Sequence, residues 1–236
     1  MCTNFIPTPL DLLVQFGIVR APFDYKEEAY PGYDAPIIAH ILRAAADGAT
    51  AVHGEARECI PARFGLIPAN TAPEFVKQFV RDYHTHNARA ETAGQRRSFK
   101  NAWKNRQYCL IPVACFYEPN WESGKAVRWK IWLKDTPQFA IAGLWERWQH
   151  GDESFYSFTM LTVNADDHPV MRHFHKHGEE KRMPVILHPD DYDRWLNATP
   201  EEAFRMCQSY PAELMDSEAA PKPPRAKKIE LPPGSM

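Results

Sequence analysis

The sequence contains no run of about 18 apolar residues that could cross a membrane, and its N-terminus lacks the basic and apolar regions of a signal peptide. It also contains no CxxC pair, because its five cysteines are scattered along 236 residues. Reduced thiols fit this pattern better than a disulfide framework or a cysteine-based zinc site. We therefore expect a cytoplasmic protein that makes no membrane contact.

Bulk positive charge and internal repeats are absent as well. The formal net charge is -2, so the molecule as a whole is not a basic, polyanion-binding body. No fixed-period repeat or long linker divides the chain, and 44% of its residues are apolar, as in ordinary globular proteins. We predict one domain over residues 2–215, followed by a Pro/Lys-rich tail over residues 216–236 that has little to bury.

Stretches rich in β-branched and aromatic residues, separated by turn signals, predict a sheet. The predicted strands, which we expect to form an antiparallel meander, are CLIPVACFYEP, VRWKIWLKD, FAIAGLWERW, FYSFTMLTVNA and MPVILHP. The predicted helices are APEFVKQFVRDYH, SFKNAWKN, DDYDRWLN and TPEEAFRMCQ, the last with a capping box of Thr199 and Glu202. The stretch APIIAHILRAAADG fits a helix or a strand. We predict a single α+β domain built on a mostly antiparallel, barrel-like curved sheet with flanking helices.

Cys2 becomes an N-terminal 1,2-aminothiol if Met1 is removed. An α-amino group titrates near 8 and lysine near 10.4, so at pH 7.4 roughly a quarter of the former is neutral against roughly 0.1% of the latter. Such an amine readily forms an imine with an aldehyde, and the adjacent thiol can close on it to give a thiazolidine. The thiol could instead attack an amide, or Cys2 could be a buried residue without a reaction.

A basic strip runs from Arg81 to Tyr108, with seven basic and two acidic residues in a chain of net charge -2. Phe99, Trp103 and Tyr108 are interleaved with the cations. Cations for phosphates and aromatic rings for unpaired bases are the ingredients of single-strand binding. A solvated amphipathic helix would have the same composition. The strip includes three candidate DNA-binding residues: Arg89, Arg96 and Arg97.

Two further segments carry groups suited to proton transfer. Glu118 lies within the apolar CFYEPNW, and burial of a carboxyl group in general favours its protonated form. A cluster of histidines follows, at His168, His173, His175 and His177. The cluster suggests a metal, but no pair of cysteines accompanies it, and one histidine acting as a proton carrier is the better interpretation. We expect no metal and no cofactor.

Seven segments occur in a fixed order between about residues 2 and 210: MC, YDAPI, FGLIP, NARAET, CLIPVACFYEPNW, FTMLTVNA and FHKHGEEKRMPVIL. In this order they resemble the SRAP family of SOS-response-associated, peptidase-like proteins. The resemblance implies an abasic-site sensor whose N-terminal cysteine forms a covalent thiazolidine crosslink with the aldehyde of an abasic site in single-stranded DNA. Such a protein associates with the nucleoid when bound to damaged DNA, and we expect it to be a monomer.

By the same resemblance, Cys2, Asn87, Glu118 and His175 form the reactive centre, and Arg89 contacts a phosphate. Asn87 positions the Cys2 terminus, Glu118 acts as acid and base, and His175 assists opening of the sugar ring. His173 and His177 are the alternatives to His175, because the loop before the RMP segment is longer than in the family.

Two segments depart from the family pattern. Thr3 and Asn4 stand where the family often has a glycine and an arginine, so one phosphate contact is missing or comes from elsewhere. GLIPANTA replaces a tryptophan-rich wedge, and apolar contact is then expected from Leu66, Ile67 and Pro68.

Three other functions remain compatible with the sequence. The first is a thiol autopeptidase that acts mainly on its own N-terminus. The second is a module that binds single-stranded nucleic acid without a covalent bond. The third is a metal-dependent hydrolase built on the histidine cluster.

Overall fold

A computed structural model of the chain describes residues 2–19, 21, 23–43, 52–53 and 56–223. Its strands are β1 (Asn4–Pro7), β2 (Asp34–Ala39), β3 (Leu42–Arg43), β4 (Val52–His53), β5 (Glu58–Phe64), β6 (Asn87–Arg89), β7 (Tyr108–Asn120), β8 (Val127–Leu133), β9 (Phe139–His150), β10 (Glu153–Asn164), β11 (Arg182–Pro184), β12 (Ile186–Leu187) and β13 (Met215–Ala219). Its α-helices are α1 (Pro73–Tyr83), α2 (Lys100–Lys104), α3 (Tyr192–Asn197) and α4 (Pro200–Met206). None of these helices is long and apolar enough to cross a membrane.

Five strands close into a barrel. The order β9–β10–β5–β2–β7 returns to its start because the first half of β7 also pairs with β9. The pairings are antiparallel except those of β10 with β5 and with β6, which are parallel. The predicted α+β domain on a mostly antiparallel, barrel-like sheet is confirmed.

The predicted meander is wrong in one respect, since β8 and β9 are consecutive in sequence but do not pair. The 13-residue strand β7 is long enough to serve both. Its residues Tyr108–Val113 pair with β9, and its residues Phe116–Asn120 pair with β8. The two hairpins β7–β8 and β9–β10 are therefore joined through β7.

Large buried side chains of the closing strands and of β1 pack together in the core. Phe5, Phe64 and Phe158 form one aromatic cluster, with centroid distances between 5.2 and 6.4 Å. Gly143 of β9 lies between Cys109 of β7 and Met160 of β10, with which it pairs. A Cβ atom there would lie 2.8 Å from the Thr159 carbonyl oxygen and 2.9 Å from Cys109 Sγ, so glycine permits the close packing of three strands.

Shorter strands extend the sheet around the barrel. β1 pairs with β7, β6 and β11 pair with β10, β12 pairs with β9, and β13 pairs with β8. The predicted division between domain and tail at residues 215 and 216 falls inside β13, and the part of the tail after residue 223 lies outside the described residues. The division itself stays a prediction.

The helices lie where the sequence predicts them. α4 begins with the predicted capping box, in which Thr199 Oγ1 accepts from Glu202 N at 3.3 Å and Glu202 accepts from Thr199 N at 2.9 Å. The ambiguous stretch that begins APIIA is a strand as far as Ala39, because it pairs with β5 and β7. Its end, from residue 44, lies outside the described residues.

Candidate functional site

Cys2 lies two residues before the start of β1 and is buried, with 1% of its surface exposed. Asn87, the first residue of β6, donates from Nδ2 to the Cys2 carbonyl oxygen at 2.7 Å. Asn87 Oδ1 is buried and has no hydrogen-bond partner among the described residues. The structure thus brings two predicted site residues together and leaves an amide oxygen free beside the N-terminus.

Glu118 and His175 form a second buried contact, with His175 Nε2 3.1 Å from Glu118 Oε2. The backbone N–H of His175 donates to the Pro119 carbonyl oxygen at 2.9 Å, so the histidine loop is attached to the strand that carries Glu118. His175 adopts a left-handed φ of 65°, which turns the chain at this attachment. His175 Nδ1 is buried and without a hydrogen-bond partner in the described part of the chain.

The other two candidate histidines lie elsewhere. His173 Nδ1 is 2.6 Å from the carboxylate of Glu122, and both side chains are largely exposed. His177 is exposed as well. His175 is therefore the histidine of the loop that contacts Glu118.

The pairing of β1 with β7 links the two contacts, because Asn4 is opposite Tyr117, the residue before Glu118. Burial raises the pKa of the Cys2 thiol well above its ordinary value, and the negative charge of Glu118 raises it further. The thiol is thus a neutral group near neutral pH, with a carboxylate close enough to act on it electrostatically. A base is needed before such a thiol can react as a thiolate.

Sequence reasoning missed His86, which directly precedes Asn87. Its ring packs edge-on against Phe64, with centroids 5.7 Å apart. The pKa of His86 is lowered to about 4, chiefly by burial and also by the nearby His84, while Glu118 acts in the opposite direction. His86 is therefore a neutral imidazole beside the site, and no local sequence pattern distinguishes it from an exposed histidine.

The predicted DNA-binding arginines differ in environment. Arg89 is ion-paired with Glu180, which also lies 2.7 Å from Nη1 of the buried Arg182. Arg182 in turn holds both carboxylate oxygens of Glu91 at 2.8 Å. This network was not predicted from the sequence. The charged residues of NARAE and KRMP are a signal that could have indicated ion pairs between the two segments. Arg96 and Arg97 are exposed, and neither forms an ion pair with a described residue.

The predicted apolar wedge is mostly inside the protein. Leu66 and Ile67 are fully buried: Leu66 belongs to the main core, and Ile67 packs with Val76 of α1 and Trp148 of β9. Neither side chain offers a surface to a bound strand in this conformation. Pro68 lines a surface groove.

A guanidinium stands beside position 4, where the sequence has asparagine. Asn4 Nδ2 and Arg128 Nη2 both donate to Glu28 Oε1. The Arg128 guanidinium also stacks over the ring of Tyr117, 3.2 Å from its centroid. Arg128 therefore brings a positive charge close to the N-terminal strand from β8.

Within the described ranges, no three His, Cys, Asp or Glu side chains are grouped so that they could share a metal ion.

Comparisons with known proteins concern the chain as a whole. The family model described as SOS response associated peptidase (SRAP) matches residues 5–222. "Abasic site processing protein YoaM" of Bacillus subtilis (strain 168) is 31% identical over 212 residues, which cover 88% of this chain and 84% of that protein. "Abasic site processing protein YoqW" of the same organism is 30% identical, over 88% of this chain and 85% of its own. A crystal structure of a protein from Bordetella bronchiseptica is 33% identical with a TM-score of 0.81, and the alignment covers 93% of this chain and 99% of that one.

Proposed function

The chain belongs to the SOS response associated peptidase (SRAP) family, and on this premise we propose that it processes abasic sites in DNA by forming a thiazolidine crosslink through Cys2. Two relatives carry names that describe abasic-site processing. The observation that carries the proposal has two parts: Asn87 holds the Cys2 carbonyl oxygen, and the strand that pairs with β1 carries Glu118, which His175 contacts.

The first step is imine formation after Met1 has been removed. The neutral α-amine of Cys2 attacks the aldehyde carbon of the ring-opened deoxyribose, and a C–N bond forms. Asn87 Oδ1, which has no partner among the described residues, accepts a hydrogen bond from the amine and aims its lone pair. The carbinolamine then loses its hydroxyl group as water, with the proton for this step delivered by Glu118.

The second step closes the ring. The Cys2 thiol adds to the imine carbon, so a C–S bond forms and the imine nitrogen gains a proton. Because burial and Glu118 keep the thiol protonated, the carboxylate of Glu118 takes the thiol proton as the bond forms. The balance is one amine, one thiol and one aldehyde giving one thiazolidine and one water.

His175 has a role before these steps. The closed sugar must open before an aldehyde exists, and opening requires a proton at the ring oxygen. His175 Nδ1 has no partner within the described residues, while Nε2 faces Glu118. A proton can therefore pass between carboxylate, imidazole and sugar without leaving the buried site.

A crosslinking assay tests the proposal. Single-stranded DNA with one uracil is treated with a glycosylase, incubated with the protein, and separated under denaturing conditions. Wild type is expected to give a covalent band, and Cys2→Ala is expected to give none. The matched control is Cys207→Ala, because Cys207 follows α4 and is not one of the proposed site residues. It should give the same band as wild type. An unchanged band with Cys2→Ala would contradict the proposal. A chain that retains Met1 by intact mass is expected to give no band.

The family description also includes peptidase activity, and an N-terminal thiol can attack an amide. If the protein acts mainly as an autopeptidase, a chain with a short extension before Cys2 should be processed by wild type and remain intact in Cys2→Ala. A module that only binds single strands reversibly should bind abasic and intact DNA equally, with steep salt dependence and no covalent band.

A further inference from the structure

We propose that a groove between α1 and residues 68–72 binds an unpaired base of the DNA strand, close to the crosslinking site. This inference rests on the proposed function, because it assigns part of the strand that carries the lesion. The groove has a volume of about 360 Å³. The residues that line it include Pro68, Thr71, Phe75, Phe79, Tyr83 and Arg97.

One wall of the groove is a row of aromatic rings. Phe75, Phe79 and Tyr83 are spaced four residues apart, so they lie along one face of α1. The rings of Phe79 and Tyr83 stack with centroids 4.6 Å apart. Phe75 is 51% exposed and Tyr83 is 64% exposed, whereas Val76 of the same helix is buried against the barrel. Exposed planar rings in a groove are suited to stacking with bases.

The opposite wall is anchored to the barrel through β9. The backbone N–H of Ala69 donates to the Glu146 carboxylate. Trp148 Nε1 donates to the Thr71 carbonyl oxygen at 2.8 Å. Because both anchors belong to a closing strand of the barrel, this wall is formed before any ligand binds, and little ordering is needed on binding.

The charge around the groove matches a phosphate backbone. Arg97 lines the groove, and residues 92–106 contain five basic and no acidic residues. Arg96, Arg97 and Lys100 are exposed and form no ion pair with any described residue, whereas Arg89 is already paired with Glu180. Aromatic faces beside unpaired cations fit a single strand better than an apolar peptide.

The groove is also only a few residues from Asn87, which contacts Cys2. Tyr83 precedes Asn87 by four residues, which span at most about 14 Å. Asn87 holds the Cys2 carbonyl oxygen. A base stacked on Tyr83 therefore belongs to a nucleotide near the one that reacts.

The test measures the concentration of abasic single-stranded DNA that gives half-maximal crosslinking. The variant is the double substitution Phe75→Leu and Tyr83→Leu, which keeps apolar contacts on α1 and removes two planar rings. We expect it to raise this concentration roughly 5-fold to 100-fold, the range of base–aromatic stacking, without lowering the final yield. The matched control is Phe204→Leu on α4, since Phe204 is also 51% exposed and lies outside the groove; it should leave the concentration unchanged.

The crosslinking function and the assignment of the groove can be overturned independently of each other. If wild type crosslinks and the double variant needs no more DNA than Phe204→Leu, the groove assignment is overturned and the crosslinking function stands. If wild type does not crosslink, reversible binding of intact oligothymidine decides the groove alone: weaker binding by the double variant supports it, and equal binding overturns it. A concentration-dependent dimer that the double variant abolishes would assign the groove to a second copy of the chain and overturn the proposal.

Discussion

The described part of the chain contains one buried and one exposed contact between a carboxylate and a histidine. The Glu118–His175 contact is inside the site, and the Glu122–His173 contact is largely exposed. The exposed pair is an internal control for the buried one. If proton transfer at Cys2 depends on the buried pair, disruption of the exposed pair should leave crosslinking unchanged.

We predict that Glu118→Gln slows crosslinking by roughly 100-fold or more, since general acid–base catalysis contributes about 10²–10⁴. His175→Gln should slow it as well, most strongly when the substrate is mainly in the closed sugar form. The measurement is the rate of adduct formation with excess protein. Glu122→Gln and His173→Gln should match wild type, and a slow rate in His173→Gln would move the role away from His175.

His86 gives a prediction about pH. Its pKa falls from 6.5 to about 4 on folding, chiefly through burial. Between these pH values the unfolded chain binds a proton that the folded protein does not bind, so the free energy of unfolding falls as the pH is lowered. The full difference is about 3 kcal/mol. The free energy of unfolding, measured with urea, should fall between pH 7 and pH 4 by about 3 kcal/mol less in His86→Leu than in wild type. Equal losses in the two proteins would contradict this account.

Single residues were predictable where their chemistry is local. Cys2 and Glu118 could be named because an N-terminal thiol and a carboxylate in an apolar strand are visible in a few letters. Leu66 and Ile67 could not be assigned correctly from FGLIP alone, since Leu66 packs in the main core and Ile67 packs with Val76 and Trp148.

At the scale of elements, β13 is a strand that the sequence analysis did not predict. Its five residues pair with β8 in register from Met215↔Leu133 to Ala219↔Trp129, and Met215 is buried. The local composition of this segment is polar and gives no strand signal. Its structure follows from the free edge of β8, which sequence patterns do not reveal.

A chain that ends at Leu214 should therefore be less stable than one that ends at Pro223. Loss of the buried Met215 side chain alone costs about 2 kcal/mol, and the edge of β8 becomes exposed to association. Urea unfolding of the two truncated chains measures the difference. Equal stability would support a domain that ends at residue 215.

The barrel closure depends on β9 at Gly143. Gly143→Ala introduces a Cβ atom within 2.8 Å of both Ile111 Cδ1 and the Thr159 carbonyl oxygen. We expect a loss of about 1–3 kcal/mol in the free energy of unfolding, as for other overpacked cores. Denaturant unfolding checks this, and an unchanged midpoint would mean that the strands move apart without cost.

At the scale of the whole molecule, the fold class was predictable and the topology was not. Strand periodicity identified each long strand from β7 to β10, because burial on a sheet leaves a local pattern. The closure of β7 on β9 and the parallel pairing of β5 with β10 join distant segments. Their register is set by packing across the barrel, which no stretch of sequence records.

The same distinction applies to the site as a whole. Cys2, Asn87, Glu118 and His175 are separated by up to 173 positions in the sequence numbering, and the barrel brings them together. The reaction that we propose requires this convergence, since the amine, the thiol and the proton-transfer pair must act on one carbon atom.

Peptide mapping of the DNA adduct by mass spectrometry tests the central claim most directly. The account predicts that the nucleotide remnant lies on the N-terminal peptide that begins with Cys2, and that the adduct mass equals peptide plus ring-opened abasic remnant minus one water. Borohydride should not be needed to preserve it, since a thiazolidine is not an imine. An adduct on a lysine, or one that survives only after reduction, would contradict the account.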